Sequence, residues 1–221
     1  MYNCVVWDMD GTLIDSYEGI FHAYAYALEK MGMGFAGDIL VRRAIGAPLL
    51  YAFEHLVGMD RDRALRAAVY YREYYAAKGK REVTVYPGIP ETLDRLKQAG
   101  CFLGTATLKK EAFAREILEQ TGLLPHLDAV CGMDEHDRLT KADLIRRCMQ
   151  QAGADPAKTV LVGDSEFDRA GAREAGIDFL AVTYGFGFAD QDSLQGMAPE
   201  RIAHTPADIA DRLIPYPASL S

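Results

Sequence analysis

Two aspartates that follow an apolar run near the start of the chain have the spacing of a pair that could bind a metal. Residues 4–7 are apolar and predict a short buried strand, and Asp8 and Asp10 come directly after it. A bend at Gly11 would let both carboxylates face one pocket. Two carboxylates held this close repel each other unless a cation lies between them, so the pair indicates a magnesium site. A plain turn is the alternative, because Asp-Gly is common in turns.

Side chains with complementary chemistry follow the other predicted strands. They are Thr107 after the second strand (with two lysines just beyond it), Lys141 after the third, and Asp164 and Asp168 after the fourth. Sites in an open parallel sheet form at the carboxyl ends of the strands, so these side chains can meet. A lysine in the first turn of a helix is unfavourable for the helix dipole, and its placement suggests pairing with an anion. Acids for a metal, a hydroxyl and a cation together can hold a phosphoryl group. Each residue also has a plain alternative, as a strand end, a solvated lysine, a turn residue or a helix cap.

The apolar periodicity predicts which elements position these side chains. Residues 15–83 show helical spacing throughout and no strand. Strands are then predicted at 101–107, 127–131, 159–163 and 179–183, alternating with helices at 90–98, 110–120, 141–152 and 166–175. Such alternation is typical of a mainly parallel sheet covered on both faces, and the first strand, residues 3–7, needs that sheet to pair with. We therefore predict an α/β fold with a Rossmann-like, mainly parallel core (1–14 and 84–221) and an inserted all-helical domain (15–83).

Composition narrows the classes of function. The chain has 221 residues, 49% of them hydrophobic, and a formal net charge of −8, which argues against a nucleic-acid polymer or an anionic membrane as the main partner. No apolar run approaches 18 residues, and no basic stretch followed by an apolar one marks a signal peptide. The four cysteines form no Cys-x-x-Cys pair, which favours free thiols in a reducing compartment and a cytoplasmic location. The tail, residues 215–218, is expected to be poorly ordered.

Taken in order, four motifs resemble those of the haloacid dehalogenase superfamily of phosphohydrolases. They are Asp8-x-Asp10-Gly11-Thr12, Thr107, Lys141 and Gly163-Asp164-x-x-x-Asp168, and the resemblance covers essentially the whole chain. The helical insertion after the first motif resembles the small cap domain of the subgroup that contains phosphoglycolate phosphatases and β-phosphoglucomutase. Within that subgroup, residues 86–90, 141–145 and 182–187 are most similar to 5′-nucleotidase-like phosphatases.

The resemblance implies catalytic and metal-binding roles for the four aspartates. Asp8 would be the nucleophile that forms an aspartyl-phosphate, and Asp10 would protonate the leaving oxygen and later deprotonate the attacking water. Mg²⁺ would be held by Asp8, by the backbone carbonyl of Asp10 and by Asp164. Asp168 would support this shell, either from the metal side or from behind it.

The resemblance also implies which residues contact the substrate. Thr107 and Lys141 would hold phosphoryl oxygens, and Lys141 would also tether the nucleophile. The remaining expected contacts are backbone donors near the nucleophile and residues of the helical insertion, namely Gly11, Thr12, Arg42, Arg43 and Gly46. A solvated arginine pair is equally compatible with the sequence. Close relatives often carry Ser or Asn after the second-motif threonine, whereas this chain has Leu108, so the identity of the substrate is open.

Three hypotheses follow. The first is a magnesium-dependent phosphatase of a small phosphomonoester, whose helical insertion opens for substrate and closes to exclude water. The second is a sugar phosphomutase, which returns the phosphoryl group to a sugar instead of to water. The third is a non-catalytic binding module, which would predict loss of Asp8, Asp10 or Lys141, and all three are present. Phosphoglycolate, a nucleoside monophosphate, pyrophosphate and a sugar phosphate stay open as substrates, and the chain is expected to be a monomer or a homodimer.

Overall fold

The first strand lies at the centre of the fold because it is apolar on both faces. The computed structural model describes residues 2–34, 37–188 and 194–214, and every side chain of β1 (Cys4–Trp7) is fully buried. Strands buried on both faces are typical of parallel sheets that carry helices on each side. The tail residues 215–218, which the sequence predicts to be poorly ordered, lie outside the described residues.

The strands form one large parallel sheet and one short ribbon. After β1, the described residues contain β2 (Ile14–Asp15), β3 (Thr84–Val85), β4 (Phe102–Lys110), β5 (Ala129–Met133), β6 (Thr159–Gly163), β7 (Asp178–Val182) and β8 (Ile202–Ala203). In this part of the chain the large sheet has the order β5-β4-β1-β6-β7-β8 with parallel neighbours, and β2 pairs antiparallel with β3. Trp7 pairs with Thr105 and with Val162, so the residues after β1 emerge between the ends of β4 and β6.

Helices cover both faces of the sheet. The described residues contain α1 (Tyr17–Lys30), α2 (Asp38–Ala44), α3 (Leu49–Tyr51), α4 (Arg61–Ala77), α5 (Ile89–Gln98), α6 (Glu111–Gln120), α7 (Lys141–Ala152), α8 (Glu166–Ala175) and α9 (Pro206–Leu213), and a π-helical turn spans Ala52–Leu56. Of the helices in these ranges, none has the length and apolar character that crossing a bilayer requires.

Alternate side chains of β1 point into two separate helical layers. Val5 and Trp7 share a core with residues of α5, α6 and α9, whereas Cys4 and Val6 share a second core with residues of α7 and α8. This division follows from the two-residue period of a strand. The predicted fold class, an α/β fold with a Rossmann-like parallel sheet, is confirmed.

The segment between β2 and β3 is helical and packs around aromatic rings. The ring of Tyr24 on α1 lies 5.0 Å from that of Tyr71 on α4 and 5.1 Å from that of Phe53. The prediction that residues 15–83 contain no strand is wrong at Asp15, which pairs with Thr84. A two-residue strand offers no alternation to detect, and its partner is distant in sequence. The ribbon lies where the predicted core and insertion meet, and the division into two domains stays a prediction.

Most other elements lie where the sequence predicts them. Helix α7, strand β6 and helix α8 match their predicted bounds, because Thr140 and Ser165 form capping boxes and glycines end both helices. Strand β4 continues to Lys110 instead of ending at Thr107, and α6 accordingly begins one residue later. The short β8 and the helix α9 that follows it were not predicted.

Candidate active site

A buried lysine bridges two of the predicted acidic residues. Nζ of Lys141 donates to Oδ1 of Asp8 and lies 2.7 Å from Oδ1 of Asp168. The exposed fractions are only 4% for Asp8, 6% for Lys141 and 2% for Asp168. Two carboxylates around one ammonium explain why a lysine occupies the first turn of α7 despite the helix dipole. The pairing also aligns the start of α7 with the end of β1.

The loop after β7 holds Asp164 in a fixed orientation. Its Oδ2 accepts hydrogen bonds from the backbone N–H of Phe186 at 2.7 Å and of Gly187 at 3.2 Å. A Cβ atom on Gly185 would overlap both this carboxylate and the backbone of Gly11, so glycine lets the two loops meet. The loop thereby fixes one oxygen of Asp164 and leaves the other directed into the site.

Three buried carboxylates form a group that could hold a metal ion. Asp8, Asp164 and Asp168 each offer an oxygen, and these oxygens lie within 4.8 Å of one another. Burial and the charge of Asp168 raise the pKa of Asp8 well above its ordinary value, against the opposing charge of Lys141. Burial and the same charge raise the pKa of Asp164 to about 7. A hard divalent cation with oxygen ligands would relieve this repulsion, so the donor set fits Mg²⁺.

The three carboxylates differ in which oxygens are free. Oδ2 of Asp8 and Oδ1 of Asp164 are buried and have no hydrogen-bond partner among the described residues. Both oxygens of Asp168 are occupied, because Oδ2 accepts from Ser165 and Oδ1 pairs with Lys141. A buried carboxylate oxygen that accepts no hydrogen bond destabilises the folded state unless a bound ligand contacts it. Asp8 and Asp164 are therefore the better candidates for direct metal ligands.

Asp10 lies beside this group with a different partner. Gly11 adopts a φ of 88°, a left-handed conformation that turns the chain directly after Asp10. Nζ of Lys109 lies 3.1 Å from Oδ1 of Asp10, and both side chains are about nine-tenths buried. Thr12 is fully buried, and its carbonyl oxygen accepts a hydrogen bond from the Tyr184 hydroxyl at 2.9 Å.

Thr107 faces the same space from within β4, three residues before the strand ends. It is buried, and its hydroxyl accepts a hydrogen bond from the backbone N–H of Lys109 at 3.2 Å. The sequence places Lys109 just beyond the predicted strand end at residue 107 but assigns it no role. A lysine two residues after a strand-end threonine is the signal that could have identified it.

A cavity of about 560 Å³ connects the carboxylates to the helical insertion. Asp8, Asp10, Thr107 and Lys141 lie at its core side. Much of the remaining wall is aromatic or aliphatic and comes from both parts of the chain, namely Leu49, Leu50, Tyr51, Tyr71, Tyr75, Leu108, Phe113, Met133, Leu139 and Phe167. Leu108, where relatives often have a polar residue, adds to this apolar wall.

The basic side chains of the cavity wall are already paired. Arg61 pairs with Glu54, Arg72 with Asp137, Lys109 with Asp10, Lys110 with Asp137, Arg138 with Asp134, and Lys141 with Asp8 and Asp168. Within the described part of the wall, no cation is left without an acidic partner. A second anionic group of a substrate would therefore have to compete with an acidic side chain for any of these cations.

The predicted contacts from the insertion divide into two groups. Gly46 lines the cavity, with a φ of 82°. Arg42 and Arg43 are exposed and are not among the described residues that line it. Arg42 pairs with Asp38 at 3.0 Å and covers the ring of Tyr17 at 4.8 Å. These contacts favour the solvated alternative for Arg42, and the role of both arginines in substrate binding stays a prediction.

Comparisons with known proteins agree on one family. The family model described as haloacid dehalogenase-like hydrolase matches residues 5–182. A 5′-nucleotidase of Pseudomonas aeruginosa is 35% identical over 210 residues, covering 95% of this chain and 93% of that protein. A phosphoglycolate phosphatase of Agrobacterium fabrum is 30% identical over 200 residues, covering 82% and 80% respectively. The crystal structure of a predicted phosphatase from Clostridium acetobutylicum superposes with a TM-score of 0.90 at 34% identity, covering 96% of this chain and 98% of that one.

Proposed function

Because the chain belongs to the haloacid dehalogenase-like hydrolase family, we propose that it hydrolyses a small phosphomonoester through an aspartyl-phosphate on Asp8 and depends on Mg²⁺. The chain is a hydrolase of this family, and the two relatives and the neighbouring structure reported above carry nucleotidase or phosphatase names. The observation that carries the proposal is the buried carboxylate of Asp8 at the wall of the cavity, with Oδ1 held by Lys141 and Oδ2 left free close to Asp164.

The first step transfers the phosphoryl group to the enzyme. A carboxylate oxygen of Asp8 attacks phosphorus, and the bond between phosphorus and the ester oxygen breaks as the new bond forms. Asp10 gives a proton to the leaving oxygen. Lys141 orients Asp8 and neutralises charge on the transferring group, and the hydroxyl of Thr107 donates to a phosphoryl oxygen.

The second step restores the enzyme. Asp10, now ionised, accepts a proton from a water molecule as the water oxygen attacks phosphorus, and the bond to Asp8 breaks to release inorganic phosphate. Asp8, Asp164 and the backbone carbonyl of Asp10 would hold Mg²⁺, which when bound would neutralise the charge of the phosphoryl oxygens. We assign Asp168 the role of supporting Lys141 from behind, because both of its oxygens are occupied.

The cavity supports a neutral leaving group with apolar surface. Phosphoglycolate and pyrophosphate carry a second anionic group, and the described cations of the wall are already paired. A nucleoside 5′-monophosphate presents a neutral sugar and a planar base, which suit an aromatic wall. The name of the Pseudomonas aeruginosa relative supports the same choice. The same pairing favours the phosphatase over the mutase, because returning the phosphoryl group to a sugar phosphate makes a bisphosphate.

The test is phosphate release from nucleoside 5′-monophosphates, phosphoglycolate, pyrophosphate and hexose phosphates. Each ester is assayed with Mg²⁺, with chelator, and with the Asp8→Asn variant, and Asp62→Asn, which changes an exposed aspartate of α4, is the matched control. We expect release to need Mg²⁺, and to fall at least about 10³-fold in Asp8→Asn but not in the control. Isomerised sugar phosphate without phosphate release would instead establish a mutase.

A further inference from the structure

An irregularity in the main sheet places Lys109 in the active site. Thr107 pairs with Gly132 and Lys110 pairs with Met133, so two residues of β4 lie between consecutive pairs of β5. Extra residues of this kind bend a strand and redirect side chains, and they are frequent beside active sites. The hydrogen bond from the backbone N–H of Lys109 to the Thr107 hydroxyl stabilises the bend.

The redirected ammonium group connects two parts of the chain. Nζ of Lys109 lies 3.1 Å from Oδ1 of Asp10 and donates a hydrogen bond of 2.6 Å to the hydroxyl of Tyr75. The Lys109 side chain is only 8% exposed, and Tyr75, on α4 of the helical insertion, is 2% exposed. A buried ammonium is costly unless it is paired, so its two partners define where it lies.

We propose that Lys109 is a positioning residue that holds the carboxyl group of Asp10 against the leaving oxygen, and that Tyr75 ties this position to the packing of α4 on the core. The inference rests on the proposed role of Asp10 as acid and base. Proton transfer needs the donor within hydrogen-bond reach of the leaving oxygen, and a displacement of about 1 Å can cost about 10²-fold in rate. Asp10 is then in position to protonate the leaving oxygen only when α4 of the insertion is packed against the core.

The nature of the leaving group separates this role from a structural one. An alkoxide is strongly basic and needs a proton as it leaves, whereas para-nitrophenolate leaves readily without one. The value of kcat/KM reports the first transfer step and not the later hydrolysis. A misplaced Asp10 should therefore lower kcat/KM for an alkyl phosphomonoester far more than for para-nitrophenyl phosphate.

Four variants test the inference. Lys109→Met should lower kcat/KM about 30-fold for the best alkyl ester of the substrate panel and less than about 3-fold for para-nitrophenyl phosphate. Tyr75→Phe, which removes only a hydroxyl group, should act in the same direction by about 3- to 10-fold. Asp10→Asn shows how far the ratio of kcat/KM for the alkyl ester to kcat/KM for para-nitrophenyl phosphate falls when the acid itself is lost. Lys80→Met is the matched control, because Lys80 joins the insertion to Glu116 of α6 without lining the cavity.

Each outcome decides between the alternatives. An equal loss for both esters in Lys109→Met and Tyr75→Phe would overturn the inference and mean that Lys109 binds the phosphoryl group or only supports the fold. If Lys80→Met also changed the ratio of the two kcat/KM values, the effect would come from the packing of the insertion in general. That result would also refute a role specific to Lys109. If Lys109→Met does not fold, Tyr75→Phe carries the test.

A wild-type protein that releases phosphate from neither ester would overturn the proposed function itself, whereas an active wild type with a normal ratio in both variants overturns only the positioning role.

Discussion

Replacing Asp164 by asparagine should stabilise the metal-free protein at neutral pH while it removes the response to Mg²⁺. One oxygen of Asp164 accepts two backbone N–H bonds, and the other is buried near Asp8 and Asp168. An asparagine oxygen can accept the same two bonds, and its NH₂ group then faces the other two carboxylates as a donor. The substitution replaces a repulsion between like charges by an attraction, at no cost in volume.

The size of the effect follows from the pKa of Asp164. Burial, followed by the charge of Asp168, raises this pKa to about 7 from an ordinary 3.8. At 1.36 kcal/mol per pH unit this corresponds to about 4 kcal/mol of unfolding free energy. The folded-state pKa lies above the unfolded-state pKa, so the contribution of the protonated group is present below about pH 4 and is lost as the pH rises to about 7. The advantage of the variant should grow over this interval.

Urea unfolding in chelator between pH 4 and pH 8 measures the difference. Trp7, the single tryptophan of the chain, is fully buried directly before Asp8 and reports unfolding by fluorescence. At pH 8 the variant should be more stable by about 4 kcal/mol. Mg²⁺ at 100 times its dissociation constant should stabilise the wild type by about 2.7 kcal/mol and leave the variant unchanged.

A control and a contrary result make this reasoning refutable. The backbone N–H of Thr140 holds the pKa of Asp143 below its ordinary value, so Asp143→Asn should lose stability and gain no advantage between pH 4 and pH 7. If the unfolding free energies of the wild type and Asp164→Asn changed in parallel with pH, or if the variant were less stable at pH 8, the reasoning would be wrong. Either result would show that repulsion among the three carboxylates does not limit the stability of the metal-free protein.

Three further predictions concern the residues that shape the site. Gly185→Ala should lower metal-dependent phosphate release at least about 10-fold, because its Cβ would overlap the adjoining loop, whereas Gly34→Ala, with open space around it, should not. Thr140→Ala removes the N-cap of the helix that begins at Lys141 and should cost about 1 kcal/mol in urea unfolding. Arg42→Met should change KM less than about 2-fold if this arginine is a solvated surface residue, since exposed ion pairs contribute about 0–1 kcal/mol; a 10-fold rise in KM would restore it as a substrate ligand.

The strand-end carboxylates and Lys141 could be located from the sequence because their signals are local. An apolar run that ends in acids gives Asp8, and the helical spacing predicted over 141–152 places Lys141 in the first turn of a helix. Because parallel strands present their carboxyl ends at one edge of the sheet, residues that follow different strands, such as Asp8 and Lys141, are expected at the same edge.

The remaining features depend on contacts that are distant in sequence. Asp15 joins a two-residue strand only because Thr84 lies opposite it. Lys109 reaches Asp10 because the pairing of β4 with β5 is irregular, and no periodicity in β4 announces such a shift. The sequence around Arg42 is compatible both with a substrate contact and with a solvated side chain. Only the structure shows that the guanidinium group pairs with Asp38 and covers the ring of Tyr17.

The division of oxygen atoms among the acids explains how the fold tolerates so much buried negative charge. Asp8 and Asp164 each give one oxygen to the protein, through Lys141 and through two backbone N–H groups, and each leaves the other oxygen without a partner among the described residues. Asp168 gives both of its oxygens to the protein and so adds charge without adding a free ligand atom. In a protein selected for stability alone, a hydrogen-bond donor would lie beside each of those two oxygens. These two buried oxygens without donors support the proposal that a cation and a phosphoryl group bind here. Without such ligands, the charge of Lys141 holds Asp8 and Asp168 together.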